Sequence, residues 1–135
     1  MTVQFSVAVR NAQLDSFETT VGTSAVLKIR TGSAPATCAT ADSGTVLATL
    51  SLPSDWMAAA SSGSKAKSGT WEDTSADNTG TAGHFRIYAS DGTTCHMQGT
   101  VTATGGGGDL TLDNTSVGSG QQITITGFTL TAGNA

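Results

Sequence analysis

Two histidines and two cysteines are the residues of this chain whose nitrogen and sulfur atoms could bind zinc. Cys38, His84, Cys95 and His96 together offer four ligands for zinc. Cys95 and His96 are neighbours, so in a strand their side chains point to opposite faces, and no C-x-x-C pair is present. The spacing therefore does not predict zinc, and we expect no metal and no cofactor.

The two cysteines lie 57 positions apart, a spacing that is compatible with one disulfide without requiring it. The first residues, Met1-Thr2-Val3-Gln4-Phe5, lack the charged and apolar regions of a signal peptide. We therefore expect synthesis in a cytoplasm, where free buried thiols are the more common state. Oxidation after release of the protein from a cell stays open.

Other patterns that carry chemistry are incomplete. The acidic stretch 72–78 holds oxygen ligands for calcium, but not in the order of an EF-hand loop, and a solvated acidic loop is the expectation. The four-glycine run at 105–108 lacks the Lys-Ser/Thr pair of a phosphate-binding loop. There is no G-x-S-x-G, and no Ser, His and Asp stand at motif spacing. We predict that the protein is not an enzyme.

One substantial helix is predicted, over residues 6–21. Apolar side chains recur there at helical spacing, at Val7, Leu14, Phe17 and Val21. Ser6 is suited to cap the first turn and Gly22 to end the helix. The apolar stripe predicts a helix that covers one face of a sheet, and the alternative is an N-terminal arm that docks on a partner subunit.

Short alternating segments predict a β-rich domain after this helix. Strands are predicted at 25–31, 45–52, from 69, 84–89, 94–103, 109–112 and 121–131. Between them we predict loops at 32–43, 61–68, 72–83 and 114–120, a glycine turn at 105–108, and a short helical turn at 56–60. Trp56 and Trp71 flank the 61–68 loop, which is flexible by composition. We expect both to be buried in the core, whereas exposed indoles would suggest carbohydrate stacking.

Residues 84–102 form an alternating hairpin around Asp91 and Gly92. Phe85, Ile87 and Ala89 share one face of the first strand, and Cys95, Met97 and Val101 share one face of the second. A two-residue turn would pair Ile87 with His96 and mix the faces. We therefore predict a three-residue loop, 91–93, or a five-residue loop of the same parity, which sets Ile87 opposite Met97.

The other face of this hairpin is polar and is predicted to point outward. It carries His84, Arg86, Tyr88, His96 and Gln98. In the predicted register Arg86 lies opposite Gln98, and Tyr88 opposite His96. Such a face could be a small-ligand site or a solvated surface, and a contact with another protein is the interpretation that we favour.

The final predicted strand changes its inward parity at Gly127, since Ile123 and Ile125 are odd and Phe128 and Leu130 are even. A glycine at such a switch is typical of a β-bulge or a sheet corner. The predicted fold is mainly β: an antiparallel β-sandwich or open barrel with one N-terminal α-helix. Residues 1–135 form a single domain, with an N-terminal arm and helix at 1–22 and a β-domain at 23–135.

Composition limits the classes of partner. The net charge is −4 and the six Lys and Arg residues are scattered, which argues against nucleic acid. No apolar run is long enough to span a membrane. Charged residues make up 12% of the chain, against roughly 25% in ordinary soluble domains, and Thr, Ser, Ala and Gly replace them. A polar, uncharged surface suits a protein that lies against other subunits, although secreted binding modules share it.

Several segments resemble small virion structural proteins of tailed bacteriophages and prophages. They include Val9-Arg10-Asn11-Ala12-Gln13-Leu14-Asp15, Leu27-Lys28-Ile29-Arg30-Thr31-Gly32, Leu52-Pro53-Ser54-Asp55-Trp56-Met57-Ala58 and Gly83-His84-Phe85-Arg86-Ile87-Tyr88. The resemblance covers most of the chain and is greatest to head decoration (cement) proteins. It implies a location on the capsid surface, binding to the major capsid protein and self-association, with a trimer favoured. No catalytic residues come with it.

The sequence thus predicts a non-enzymatic capsid decoration protein, made in the host cytoplasm and carried on the virion. The predicted interface residues are Phe5, Arg10, Lys65, Lys67, His84, Arg86, Tyr88, His96 and Gln98. The alternative is a minor tail or receptor-binding module that recognises a glycan of the host surface. That alternative requires Trp56 and Trp71 to be exposed.

Overall fold

One helix precedes ten short strands in the structure, a computed structural model that describes residues 3–133. Their bounds are α1 Val7–Val21, β1 Val26–Thr31, β2 Val46–Ser51, β3 Ser64–Ala66, β4 Trp71–Asp73, β5 Gly80–Tyr88, β6 Cys95–Ala103, β7 Leu110–Leu112, β8 Ser116–Val117, β9 Ile123–Ile125 and β10 Thr129–Thr131. The fold is mainly β with one N-terminal helix, as the alternating sequence predicts.

The main sheet has the strand order β2-β1-β5-β6-β7 and curls into a half-barrel, and β8 pairs with the start of β5. All its pairs are antiparallel except β6 with β7. Two small sheets, β3 with β10 and β4 with β9, pack against it. The core between these layers is lined by Leu27, Ile29, Leu50, Phe85, Ile87, Leu110 and Ile125.

The helix begins and ends where the sequence predicts. The Ser6 side chain accepts a hydrogen bond from the Val9 amide at 3.2 Å, and Gly22, at φ 91°, donates its amide to the Glu18 carbonyl. Leu14 and Val21 are buried, but Val7 is exposed, so its place in the apolar stripe was wrong. The first turn of the helix is exposed, whereas Asn11 and Asp15 further along the helix contact the chain near β3.

Residues 56–68 differ from the prediction of a helical turn and a flexible loop. Met57 bridges Lys67, and the Ala58 amide donates to the Ala66 carbonyl, so both segments are extended and paired. The helix holds this pair in place. The Asn11 side chain accepts from the Gly63 amide at 2.9 Å, and Asp15 accepts from the Ala60 amide at 3.0 Å. These long-range bonds order a segment whose own composition is that of a loop.

Two other predicted loops and one predicted strand also differ. The 72–83 segment contains most of β4 and the start of β5, and the 114–120 segment contains β8. The single strand predicted at 121–131 is two strands, β9 and β10, which belong to different sheets. They separate at Gly127, and Ile125 and Phe128 on either side of it are both buried. The predicted sheet corner at Gly127 is therefore confirmed.

The parallel pairing of β6 with β7 was not predicted. Parallel strands normally need a connection of a dozen residues or more, yet only residues 104–109 separate these two. Glycine makes the tight reversal feasible, because a Cβ at Gly106 or Gly108 would lie 2.8 Å from the Thr102 side chain. The Gly108 amide donates to the Thr102 hydroxyl at 2.9 Å. The four-glycine run is thus a structural turn.

The hairpin register is confirmed over its central rungs, where Ile87 pairs with Met97 and Arg86 with Gln98. One rung further the register shifts, and Tyr88 pairs with Cys95 instead of His96. His96 is the additional residue of a β-bulge. With this one-residue shift, the connection between the strand ends is the six residues 89–94, so the predicted three- or five-residue loop was wrong.

Aromatic side chains form a continuous row through the core. Ring centroids are 5.6 Å apart between Phe17 and Trp56, 6.0 Å between Trp56 and Trp71, and 5.5 Å between Trp71 and Phe128. Phe128 contacts Phe85 edge-to-face at 5.8 Å. Both indoles are fully buried, which confirms the core prediction. The row joins the helix to both small sheets and to β5.

Candidate interaction surfaces

The polar face of the hairpin is covered by the chain itself. His84, Arg86 and Tyr88 have exposed fractions of 0%, 2% and 0%. Residues 32–44, which we call the cover loop, fold back over β5 and β6. The prediction that these three side chains point outward to a partner was therefore wrong, because β5 is a central strand and both of its faces are covered.

Arg86 holds the cover loop through its whole guanidinium group. Its Nη2 donates to the carbonyls of Thr37 at 2.8 Å and Thr40 at 3.0 Å. Its Nε and Nη2 donate to Gln98 Oε1 at 3.0 and 2.9 Å, and its Nη1 contacts the Asp42 carboxylate. Gln98 is half-buried, and its Nε2 donates to the Pro35 carbonyl at 2.6 Å. Arg86 and Gln98 are therefore fully engaged within the chain.

Asp42 is the carboxylate that completes this cluster. It accepts from Arg30 Nη2 at 3.0 Å and from the Tyr88 hydroxyl at 2.7 Å, in addition to Arg86. Burial raises the pKa of Asp42, but the hydrogen bonds from Tyr88 and Arg86 and the charges of both arginines outweigh it, so the net pKa is lowered. Burial and the hydrogen bond to Asp42 raise the pKa of Tyr88. Arg30 and Asp42 were not among the predicted interface residues.

We expect the Asp42 cluster to make part of the stability sensitive to acid. Because the pKa of folded Asp42 lies below its ordinary value of 3.8, its stabilising contribution is present above that value and is lost as pH falls through the folded pKa. Urea unfolding of wild type and Asp42→Asn from about pH 7 to about pH 2 should show a gap that closes below about pH 4.

The matched control for this experiment is Asp55→Asn, which changes an exposed carboxylate outside the cluster. It should follow the wild-type unfolding free energy at every pH. A gap between wild type and Asp42→Asn that keeps its size throughout the acid range would contradict the expectation.

The two histidines differ in their exposure to solvent. His84 is fully buried, its Nδ1 is 2.9 Å from the Gly32 carbonyl, and its Nε2 has no hydrogen-bond partner within residues 3–133. His96 is half-buried at the bulge. In the described part of the chain, no three or more His, Cys, Asp or Glu side chains come together as a metal site. His96 alone of the two keeps access to a partner.

The two lysines predicted at the interface also differ. Lys65 is buried, and its Nζ contacts Asp15 at 2.6 Å, Glu18 at 3.4 Å and the Ala58 carbonyl at 2.9 Å. Its assignment to a free interface was therefore wrong, because the helix carboxylates bind it within the fold. Lys67 is half-exposed, with its Nζ 2.7 Å from the Gly69 carbonyl.

The acidic stretch 72–78 closes one edge of the main sheet. Asp73 accepts from the Thr49 amide at 2.9 Å, and the Asp77 amide donates to the Leu47 carbonyl at 2.7 Å. The Asn78 side chain donates to the Val46 carbonyl at 2.8 Å. This segment is therefore hydrogen-bonded to β2. It differs from the solvated loop that was predicted. The edge of β2 is blocked for a strand from another subunit.

Exposed large apolar side chains are concentrated at the N-terminal end of the described chain. They are Val3, Phe5, Val7 and Val9, with exposed fractions of 73%, 45%, 46% and 43%. We call these four residues the N-terminal apolar patch. Within residues 3–133 they are the large hydrophobic side chains left exposed. These residues are spaced two apart, whereas the residues on one face of a helix are three or four apart. This alternation in the sequence could have identified the exposed apolar side chains.

Arg10 borders this patch and is half-buried, with its Nη1 3.5 Å from the Ala132 carbonyl. Of the predicted interface residues, Phe5, Arg10, Lys67 and His96 thus keep some exposure, Gln98 is engaged below the cover loop, and the other four are buried. The helix in the described residues lacks the length and apolar character to cross a membrane.

Two of the open clefts on the surface of residues 3–133 lie among the strands. One, of about 380 Å³, is lined by Phe85, Met97, Gln98, Asp109, Phe128 and Leu130. The other, of about 350 Å³, is polar and lies between β7 and β9. Neither contains Trp56 or Trp71, so the indole platform on which the glycan alternative depended is not at the surface.

Comparison with known proteins returned no similar protein. No family model, no curated protein and no solved structure matches this chain.

Proposed function

We propose that this protein is a non-enzymatic structural protein of a tailed-phage particle that decorates the capsid and stabilises the lattice of the major capsid protein. The observation that carries the proposal is the N-terminal apolar patch. Four large apolar side chains, at Val3, Phe5, Val7 and Val9, lie exposed within seven consecutive positions. Contiguous exposed apolar groups are typical of protein interaction sites.

The helix gives this patch a rigid base. Ser6 caps the first turn, and Asn11 and Asp15 bind backbone amides near β3. Val7 and Val9 are therefore presented on a helix whose later residues are fixed to the chain near β3, and Val3 and Phe5 directly precede this helix. Because these residues are already held in place, binding of a partner costs little conformational entropy of this chain.

The surface outside the patch carries few charges, which suits a protein that contacts other subunits. Only 12% of the residues are charged, and the buried ones pair within the fold, as Lys65 and Arg86 show. Covering such a surface leaves few unpaired charges behind. Binding by added strands is disfavoured at β2, because residues 73–78 occupy that edge. We therefore place the capsid contact on the patch.

The resemblance to phage virion proteins supplies the identity of the partner, and the net charge of −4 argues against nucleic acid. Self-association as a homotrimer fits a capsid lattice, since a closed ring repeats one weak contact and increases avidity. On this proposal the protein is made in the host cytoplasm and resides on the capsid surface. The buried indoles leave the glycan-binding alternative without its supporting observation.

The test is binding to empty capsids made from the major capsid protein of a phage that encodes this chain. Wild type should co-sediment with expanded capsids and raise the temperature at which they dissociate. The triple variant Val3→Ser, Phe5→Ser, Val9→Ser should bind at least about tenfold more weakly, because three apolar side chains no longer leave water.

The matched control is Thr124→Ser, Thr126→Ser, Thr129→Ser, which makes three small changes at exposed positions far along the chain. It should bind as wild type does. Circular dichroism of each variant checks that the fold is retained. Failure of wild type to bind or stabilise capsids would overturn the proposal, and equal binding by the patch variant would overturn the assignment of the surface.

A further inference from the structure

The cover loop is bound to the hairpin on both sides of Cys38. The Arg86 guanidinium donates hydrogen bonds to the carbonyls of Thr37 and Thr40. These two residues flank Cys38 and Ala39, so the hydrogen bonds restrict the position of this part of the loop. Gln98 fixes the loop further upstream, at the Pro35 carbonyl. Cys38 is therefore held above β5 and β6 by three hydrogen bonds from strand side chains.

The β-bulge at His96 turns Cys95 toward the same side. Without the bulge Cys95 would share a face with Met97, as the alternation predicts. With it, Cys95 becomes the cross-strand partner of Tyr88, whose side chain lies under the cover loop. Directly opposed residues of two strands project to the same face. The bulge thus brings Cys95 to the covered polar face on which Cys38 lies.

The pKa of Cys95 agrees with this placement of the two cysteines. Burial raises the pKa of Cys95 to about 12, and the neighbouring Cys38 thiol contributes to that rise. Both cysteines are free and half-buried, so a small oxidant can reach them. The Cys95 thiol also donates to the Met97 carbonyl at 3.4 Å.

We propose that Cys38 and Cys95 form an intramolecular disulfide when the protein meets an oxidising medium, and that this bond fastens the cover loop to the main sheet. The site is a covalent modification site for a thiol oxidant of the small-molecule disulfide class, such as oxidised glutathione. The bond joins positions 57 residues apart, which is a long loop for a disulfide to close.

The exchange proceeds in two balanced steps. One cysteine thiolate attacks the disulfide of oxidised glutathione, forming a mixed disulfide and releasing one glutathione thiolate. The second cysteine then attacks the protein sulfur of the mixed disulfide and releases the second glutathione. The two cysteine protons end on the two glutathione thiols. The protein loses two electrons, and oxidised glutathione gains them.

Closing this bond should strengthen the attachment of the loop that covers Arg86. It removes conformational freedom from the unfolded chain between the two cysteines. The melting temperature should rise by roughly 10 °C, from the loop length and the size of the domain. This consequence is independent of whether the protein binds capsids.

The experiment treats the purified full chain with oxidised glutathione and, in parallel, with a reducing agent. Intact-mass spectrometry should show that the oxidised protein lacks two hydrogen atoms and carries no glutathione. Alkylation under denaturing conditions should label both cysteines of the reduced protein and neither of the oxidised one. Peptide mapping should identify the Cys38–Cys95 linkage, and size exclusion in denaturant should show a single chain.

Cys38→Ser and Cys95→Ser are the control variants. Each should gain one glutathione on the remaining thiol and show no rise in melting temperature on oxidation. Wild type that keeps two alkylatable thiols, carries two glutathiones or forms covalent dimers would overturn the proposed bond. A closed bond with an unchanged melting temperature would overturn its role in fastening the loop.

Discussion

Trp71→Ala should lower the free energy of unfolding by about 3–5 kcal/mol, the range for loss of a large aromatic side chain from a packed core. Trp71 is fully buried, and it lies between Trp56 and Phe128 in the aromatic row. Its indole Nε1 also donates to the carbonyls of Trp56 at 3.1 Å and Ser68 at 3.2 Å. Removing it leaves a cavity, takes the indole donor from the Ser68 carbonyl, and leaves the Trp56 carbonyl with the hydrogen bond from the Ser68 amide. Equilibrium unfolding in urea, followed by circular dichroism, measures the change.

Trp71→Phe separates the packing of the ring from its hydrogen bonds. It keeps an aromatic ring next to Trp56 and Phe128 but has no N–H to donate. We expect it to lose about half as much stability as the alanine variant, or about 2 kcal/mol. An alanine variant that unfolds within about 1 kcal/mol of wild type would show that the aromatic row is not continuous in solution.

Arg86→Ala should lower the free energy of unfolding by about 2 kcal/mol, because it removes a buried guanidinium that pairs with the partly exposed Asp42 and donates to the cover loop and Gln98. The Arg86 side chain is 2% exposed, and without it Asp42 keeps Arg30 and the Tyr88 hydroxyl as partners. The carbonyls of Thr37 and Thr40 lose the donor that holds the cover loop. Hydrogen exchange should show faster exchange within residues 32–44 in the variant, in addition to the lower unfolding free energy.

Arg86→Lys tests whether the shape of the guanidinium matters beyond its charge. An ammonium group cannot reach Asp42, Gln98 and two loop carbonyls together, since it lacks the planar fork of arginine. We expect the lysine variant to lie between wild type and alanine in stability. If lysine restores the wild-type unfolding free energy and loop protection, charge alone holds the loop, and the geometric account of this cluster is wrong.

Local alternation predicted most of the fold correctly. The Ile87–Met97 pairing follows from parity, because a slip of one residue moves every apolar side chain to the other face. The corner at Gly127 follows from the same parity argument, since Ile125 and Phe128 are both buried. Helix limits follow from a cap at Ser6 and a left-handed glycine at Gly22. Each of these features depends on residues close together in sequence.

The interface prediction failed at the hairpin because alternation shows which residues share a face but not what covers it. His84 and Arg86 do share a face, as predicted, and the cover loop lies over it. That loop is linked to β5 only through tertiary contacts, such as the one between Asp42 and Tyr88. One signal was present, namely that a charged residue in the centre of a sheet needs a counterion, and Asp42 was the carboxylate of the loop.

Features that depend on one additional residue in a strand, or on pairing between distant segments, could not be predicted from the sequence either. The bulge that changes the partner of Tyr88 leaves no compositional mark, since His96 fits an alternating strand as well as a bulge. The parallel return of β7 beside β6 depends on close approach of glycines to Thr102, which a four-glycine run permits without specifying. Lys65 resembled a loop lysine because Asp15, its partner, lies on another element.

The pairing of β3 with β10 determines when this protein can fold during its synthesis. The helix rests on the chain around β3, β3 needs the backbone of residues 129–131, and Arg10 reaches Ala132. An emerging chain therefore exposes its first helix and aromatic residues until almost all of the described sequence has left the ribosome. Such distant pairings are associated with folding over milliseconds to seconds. Docking of the helix and of β3 should consequently be a late event in the synthesis of this protein.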